Sequence, residues 1–130
     1  MRIFYSHAKK AYGTRGEARQ ISLIKAHFPP GSVVVDPSLE EGGDQKREKE
    51  IGFFLDLVDG CDSLVFSRFR GVVTSGVVTE VNHALSKGKP VYELRGERMV
   101  LIKKPVPPSS KVDAASFILR EGADGLRRKL

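Results

Sequence analysis

Short apolar runs alternate with amphipathic stretches along this chain. The apolar runs are rich in β-branched or aromatic residues and are bounded by glycine, proline or polar residues, as buried strands are. They lie at residues 1–5, 32–35, 63–66 and 91–94. Between them, apolar residues recur at the i, i+3, i+4 and i+7 spacing of helices, at residues 18–28, 51–58 and 77–85. The pattern therefore predicts strands that alternate with helices.

Polar residues, glycine and proline mark the ends of these helices. Thr14 followed by Glu17 is a capping box, in which each residue satisfies a free backbone N–H at the helix start. We assign the other helix starts to Asp44 and to Ser75–Gly76, and the helix ends to Pro29, Gly60 and Gly88.

The chain after residue 94 changes character. A further apolar run at 99–102 follows only Arg95, Gly96 and Glu97, which is too short for a crossover and predicts an antiparallel hairpin. Residues 104–110 contain three prolines and form an extended connector. A final helix is predicted over 114–120, capped by Asp113.

These elements predict an α/β fold, a three-layer sandwich of the Rossmann or flavodoxin type. Its five-stranded sheet is mainly parallel with an antiparallel last strand, and residues 1–130 form a single domain. Ligands of such folds gather at the carboxyl ends of the strands. We therefore expect a site built from residues 6–13, 36–44, 67–76 and Arg95.

Composition and the lengths of the apolar runs indicate the cellular compartment of the protein. Of 130 residues, 40% are hydrophobic and 29% charged, which is ordinary for a globular domain. No apolar run is long enough to span a bilayer, and the N-terminus lacks the apolar core of a secretion signal. The single cysteine, Cys61, cannot form an internal disulfide. We expect a cytoplasmic protein with no membrane partner.

The formal net charge of +6 raises the question of anionic partners. The basic residues are dispersed, however, and no basic run is interleaved with aromatic residues as in a single-strand binding surface. We favour a basic surface over a nucleic-acid interface. Binding to nucleic acid would instead show an affinity that collapses with added salt.

Glu80 is the main candidate for chemistry. The assigned start at Ser75 and Gly76 places it in the first helical turn, where the positive end of the helix dipole stabilises a carboxylate and any anion beside it. Ser75 and Gly76 can hold an anion through their backbone. A structural explanation also exists for each residue, namely helix capping for Ser75–Gly76 and a favourable dipole contact for Glu80. The residues alone leave both explanations open.

Other polar residues cluster near the predicted strand ends. Asp62 precedes the strand at 63–66 and is either a turn cap or a catalytic group. The first loop offers more polar donors than a connection needs: Ser6, His7, Lys9, Lys10, Tyr12 and Arg15. His27 and His83 have no second ligand at metal spacing, so we predict no metal site. Dinucleotide and P-loop glycine motifs are also missing, and no cofactor is expected.

Four motifs together resemble one enzyme family. They are Asp62-Ser-Leu-Val-Phe, Gly76-x-x-x-Glu80, Ala84-Leu85 and Gly88-Lys-Pro-Val. This arrangement resembles the nucleoside 2-deoxyribosyltransferase family and its relatives, the deoxynucleoside 5'-monophosphate N-glycosidases. The motifs cover residues 62–92 and the layout covers 1–94.

The resemblance implies an activity and a site. Glu80 would attack the anomeric carbon of a deoxyribosyl group and expel the base, with Asp62 or Asp56 in support. The substrate would be a nucleoside or nucleotide, and the protein a homodimer. The residues expected to bind the substrate are Ser6, His7, Tyr12, Gly13, Arg15, Ser75 and Gly76.

The chain also departs from the family pattern. Val78 and Asn82 stand where members commonly have glycine, and Phe54 stands where they have an aspartate, with Asp56 and Asp59 the nearest carboxylates. A non-catalytic module that binds or senses a nucleotide is therefore an alternative. A shorter resemblance links residues 4–7 to the first strand of TIR domains, which cleave NAD with a glutamate.

Overall fold

The computed structural model describes residues 1–37 and 47–107, with the backbone alone for 47–51. The strands are β1 (Arg2–Ser6), β2 (Val33–Val35), β3 (Ser63–Phe66), β4 (Val91–Arg95) and β5 (Arg98–Ile102). The helices are α1 (Arg15–Ala26), α2 (Arg47–Asp59) and α3 (Ser75–Ser86), and a 3-10 turn spans Lys9–Ala11. Within the described ranges, no helix has both the length and the apolar character needed to cross a membrane.

The five strands form one sheet in the order β2-β1-β3-β4-β5. The first four are parallel, and β5 runs antiparallel to β4 across the turn at Gly96, whose φ is +60°. The predicted α/β fold with a mainly parallel sheet and an antiparallel last strand is confirmed. Parallel pairing brings the carboxyl ends of β1, β3 and β4 to one edge of the sheet, where a site is expected.

Alternating residues of the central strands face two apolar layers. Phe4, Leu64 and Phe66 pack on the face covered by α2 and α3, together with Val58 and Val81. The opposite face carries a second cluster that includes the α1 residue Ile24 and consists of Ile3, Tyr5, Ile24, Val65 and Leu94. Successive residues at a strand end therefore point to different sides of the sheet.

The helix boundaries agree with the sequence at α1 and differ at α3. Thr14 caps α1, because its hydroxyl oxygen accepts the Glu17 N–H at 3.1 Å. At α3 the N-cap residue is Thr74, which makes no side-chain capping bond, and Ser75 is already the first helical residue. The prediction that Ser75 and Gly76 cap this helix is therefore wrong. Asp44, the loop at 38–44 and the helix at 114–120 lie outside the described residues.

Candidate functional site

Glu80 meets the end of β1 at the carboxyl edge of the sheet. The Ser6 hydroxyl donates a hydrogen bond to Glu80 Oε1 at 2.5 Å, which joins α3 to β1. Ser6 is fully buried and Glu80 is partly buried. Among the described residues, only Ser6 forms a hydrogen bond with this carboxylate, so Oε2 is left for another partner.

Burial changes the acidity of Glu80. Loss of water around the carboxylate raises its pKa from 4.5 to about 7, although the Ser6 hydrogen bond and the positive charge of Lys9 act in the opposite direction. The dipole of α3 was expected to stabilise the charge, but Glu80 is the sixth residue of α3 and lies beyond its first turn. Glu80 thus exchanges a proton near neutral pH.

The first turn of α3 is open. Ser75 and Gly76 are exposed, and a Cβ placed on Gly76 would meet no atom within 4 Å. Their backbone faces solvent four and five residues before Glu80. This arrangement leaves room for a ligand at the helix start.

The two aspartates expected to assist Glu80 are not brought to it. Asp62 precedes β3, at the amino edge of the sheet, where its carboxylate accepts the Arg2 N–H at 2.7 Å. In a parallel sheet this edge is opposite to the one that carries Ser6 and Glu80. Asp56 is exposed on α2, and Phe54 is packed in the core. The expectation that Glu80 and Asp62 share one site is therefore wrong.

A second polar group lies on the α1 face of the same edge. The His7 ring stacks on Tyr5, with ring centres 3.9 Å apart and planes 10° apart. Its Nε2 is 2.6 Å from Glu17 Oε2 and 3.9 Å from Asp36 Oδ1. The other oxygen of Glu17 accepts the Gly13 N–H at 2.9 Å. All three ionisable side chains are buried, with 1%, 7% and 5% of their surface exposed.

Each ring nitrogen of His7 faces an oxygen atom at hydrogen-bond distance. Nδ1 is 3.1 Å from the carbonyl oxygen of Tyr5, which can only accept, so Nδ1 carries a hydrogen. Nε2 lies 2.6 Å from Glu17 Oε2, so a hydrogen bond joins the two side chains. His7 and Glu17 are therefore held to the backbone at both ends, at Tyr5 and at Gly13.

His7, Glu17 and Asp36 also have the residue types of a metal site, with ligand atoms within 4.8 Å of one another. The 2.6 Å contact between His7 and Glu17 is a hydrogen-bond distance. Two tetrahedral ligands bound to one zinc ion at about 2.1 Å would lie roughly 3.4 Å apart. We therefore assign hydrogen bonding to this group.

A cleft of 120 Å³ opens beside this second group. Its polar lining comes from His7, Thr14, Glu17, Gln20, Ser67 and Arg68. The Tyr5 hydroxyl contacts Gln20 Oε1 and Ser67 Oγ next to the cleft, and burial raises the pKa of Tyr5 to about 12. Glu80 does not line this cleft. This cleft therefore belongs to the His7 group and not to the Glu80–Ser6 pair.

The remaining residues expected to bind a ligand divide between the two faces. Tyr12 lies beside His7, with ring centres 5.0 Å apart. The Gly13 N–H donates to Glu17, and the backbone of Gly13 has a φ of +76°. Arg15 is exposed at the start of α1. Of the first-loop candidates, Ser6 forms a hydrogen bond with Glu80, and the positive charge of Lys9 also acts on this carboxylate.

The sequence pattern missed a buried acidic residue on β4. Glu93 has 3% of its side-chain surface exposed and is held by Arg68 and Arg95. A charged residue inside the apolar run 91–94 is the signal that identifies it, because a glutamate is almost never buried without partners. Glu17, expected only as a capping residue, was missed in its second role as the partner of His7.

The geometry of the sheet and its carboxyl edge can be compared with known proteins. The chain is similar in fold to a 2-desoxiribosyltransferase from Leishmania mexicana. The two structures superpose with a TM-score of 0.53 over 92% of this chain and 97% of the other, at 14% sequence identity. No family model and no curated protein matches the sequence. At this identity the likeness shows a shared fold.

Proposed function

We propose that this protein cleaves or transfers the N-glycosidic bond of a deoxynucleoside or deoxynucleotide, with Glu80 as the nucleophile. The observation that carries the proposal is the Glu80–Ser6 pair at the carboxyl edge of the sheet. The fold shared with a 2-desoxiribosyltransferase and the motif resemblance support it.

The contacts of Glu80 suit a double displacement. Ser6 holds Oε1, so Oε2 can form a bond to the anomeric carbon while the bond from that carbon to the base nitrogen breaks. The electron pair of the broken bond leaves with the base. Water or a second base then attacks the same carbon and releases the Glu80 carboxylate. The charge of Glu80 also stabilises the oxocarbenium character of both transition states.

The raised pKa of Glu80 sets when it can react. Only the ionised carboxylate is a nucleophile, and about half of Glu80 is ionised near pH 7. The rate of base release should therefore rise with pH through about 7. The Ser6 hydrogen bond favours the ionised form and so assists the reaction at neutral pH.

The test is release of free base. The protein is incubated at pH 8 with each common deoxynucleoside and its 5'-monophosphate, with and without a second base, and the products are separated by chromatography. We expect base release that Glu80→Gln abolishes and Glu97→Gln preserves, since Glu97 is exposed in the β4–β5 turn. No release from any substrate at high protein concentration would contradict the proposal.

A non-catalytic module that binds a nucleotide is the second candidate function. It is favoured by the lack of a second carboxylate in contact with Glu80 among the described residues, because Phe54 occupies the expected position and is packed in the core. Binding of a nucleotide without base release would support it. The homodimer, the cytoplasmic location and the single domain over 1–130 are further predictions, and light scattering tests the first.

A further inference from the structure

Glu93 organises two arginines at the carboxyl edge of the sheet. Arg68 Nε donates to Glu93 Oε2 at 2.8 Å, and Arg95 Nε donates to Oε1 at 3.0 Å. Arg95 Nη2 lies 2.9 Å from the same Oε1 and completes an ion pair. Glu93 is buried, whereas Arg68 and Arg95 have 34% and 55% of their side-chain surface exposed. Two positive charges therefore meet one negative charge at a solvent-facing position, and the group has a net charge of about +1.

The orientation of Arg68 leaves donors free. Its contact with Glu93 uses Nε alone, so among the described residues its two terminal Nη groups have no hydrogen-bond partner. Within the part of the chain that the structure describes, Arg95 Nη1 also has no hydrogen-bond partner. Guanidinium groups with fixed positions and unused N–H donors are well suited to the tetrahedral oxygens of phosphate. A buried carboxylate that fixes both side chains lowers the conformational entropy that an anion would otherwise have to overcome.

The sheet register places this group near Glu80. Ser6 pairs with Phe66, and Phe66 pairs with Glu93, so the three residues form one row across β1, β3 and β4. Their side chains point to the face covered by α3, where Ser6 contacts Glu80. Two strand spacings separate Ser6 from Glu93, or about 10 Å between Cα atoms. A nucleotide is long enough to bridge these two points.

We propose that Arg68 and Arg95, positioned by Glu93, bind the phosphate of the substrate, and that the substrate is a deoxynucleoside 5'-monophosphate. This inference rests on the function proposed for Glu80. It adds the substrate class, because a nucleoside without a phosphate offers no anion to this pair.

Binding to the Glu80→Gln variant tests the phosphate site without turnover. Calorimetric titration compares each common deoxynucleoside with its 5'-monophosphate. We expect the monophosphate to bind at least about 10-fold more tightly, since a charge-assisted hydrogen bond changes affinity by about 10- to 100-fold. Adding Arg68→Gln or Arg95→Gln should remove this preference and leave nucleoside affinity unchanged.

Two further variants control for net charge and for folding. Lys103→Gln removes one positive charge just after β5, at the opposite edge of the sheet, and should retain the preference. Arg68→Lys keeps the positive charge that pairs with the buried Glu93, so the variant should still fold. It lacks the two terminal N–H groups of the guanidinium. It should weaken monophosphate binding less than Arg68→Gln does.

The outcomes separate this inference from the proposed function. Equal affinity for nucleoside and monophosphate overturns it, as does a preference that survives both arginine variants, because the arginines would then only neutralise Glu93. Failure of the wild-type protein to release base contradicts the proposed function, and the calorimetric result stands independently. Base release from nucleosides and monophosphates with equal KM overturns the phosphate site and leaves the role of Glu80 intact.

Discussion

Replacing Glu80 with glutamine should change the pH dependence of stability. In the folded protein the pKa of Glu80 is about 7, against 4.5 for an exposed glutamate. Between pH 4.5 and about pH 7, Glu80 is therefore mostly protonated in the folded chain and mostly ionised in the unfolded chain. The contribution of Glu80 to stability is therefore greatest below pH 4.5 and is lost as the pH rises through 7. Glutamine resembles the protonated side chain and can still accept the Ser6 hydrogen bond at every pH.

The size of the effect follows from the two pKa values. The difference between 4.5 and about 7 corresponds to about 3 kcal/mol at 25 °C. Partial exposure of Glu80 to water reduces this penalty, so we expect about 2 to 3 kcal/mol. The wild-type protein and Glu80→Gln should have similar free energies of unfolding at pH 4. At pH 8 the variant should be more stable by this amount.

Urea unfolding followed by far-UV circular dichroism measures this difference, because the chain has no tryptophan for a fluorescence assay. Both proteins are measured at intervals from pH 4 to pH 8, and the titration of all other groups cancels in the difference. Glu97→Gln is the matched control, since Glu97 is 72% exposed and its difference from wild type should stay nearly constant. A constant difference for Glu80→Gln as well would show that Glu80 ionises as a surface residue does, and would refute the reasoning.

Three other substitutions test neighbouring contacts. Ser6→Ala removes the donor to Glu80, so the pKa of Glu80 measured by carbon NMR, and with it the midpoint of the pH–rate profile, should move upward; an unchanged pKa would contradict the contact. Glu17→Gln leaves the buried His7 without its charged partner and should lower the free energy of unfolding by about 3 kcal/mol, whereas exposed Arg15→Gln should have little effect. Asn82→Ala removes two 2.8 Å hydrogen bonds to the backbone of Val106. The hydrogen of the Val106 amide should therefore exchange faster with solvent, and the free energy of unfolding should fall by about 1 to 2 kcal/mol. An unchanged exchange rate would contradict these two hydrogen bonds.

The fold was predictable because it depends on features that span many residues. Four apolar runs separated by amphipathic stretches allow few arrangements other than a mainly parallel sheet with helices on both faces. The antiparallel direction of β5 was predictable for a simpler reason. The connection of Gly96 and Glu97 between Arg95 and Arg98 is too short to carry the chain back across the sheet.

The site was harder to predict because side chains alternate between the two faces of the sheet. The sequence placed the end of β1 at Tyr5, but the strand continues to Ser6. Ser6 points to the α3 face and meets Glu80, whereas His7 stacks on Tyr5 on the α1 face. A displacement of one residue decides which face a side chain joins, and an apolar pattern does not locate a strand end to one residue.

The expectation that Asp62 lies beside Glu80 was a different kind of error, because the order of helices and strands alone could have excluded that position for Asp62. A residue before a parallel strand lies at the amino edge, and the residues that follow β1 and β3 lie at the carboxyl edge. Asp62 follows the helix α2 and precedes β3, so no choice of register could bring it to Ser6. Its hydrogen bond to the Arg2 N–H is the expected role for a residue at that edge.

Asn82 accounts for one departure from the family pattern. Its side chain binds both the N–H and the carbonyl oxygen of Val106, and so attaches the chain after β5 to α3. A glycine at this position could not make either contact. The side chain therefore serves the packing of the connector two residues beyond Glu80, and it indicates that this face of α3 is covered by the chain itself.

Arg68 is the residue that links the two faces of the carboxyl edge. It lines the cleft beside His7 on the α1 face, and its Nε reaches Glu93 on the α3 face. Because Ser67, just before it, contacts Tyr5, the chain that leaves β3 is fixed on one side by the Tyr5 hydroxyl and on the other by Glu93. A ligand held by Arg68 would therefore lie across the end of β3, with Glu80 on one side and the His7 group on the other. If Glu80 performs the chemistry, the role left to His7, Glu17 and Asp36 is to hold the first loop in place, which agrees with the burial of all three side chains.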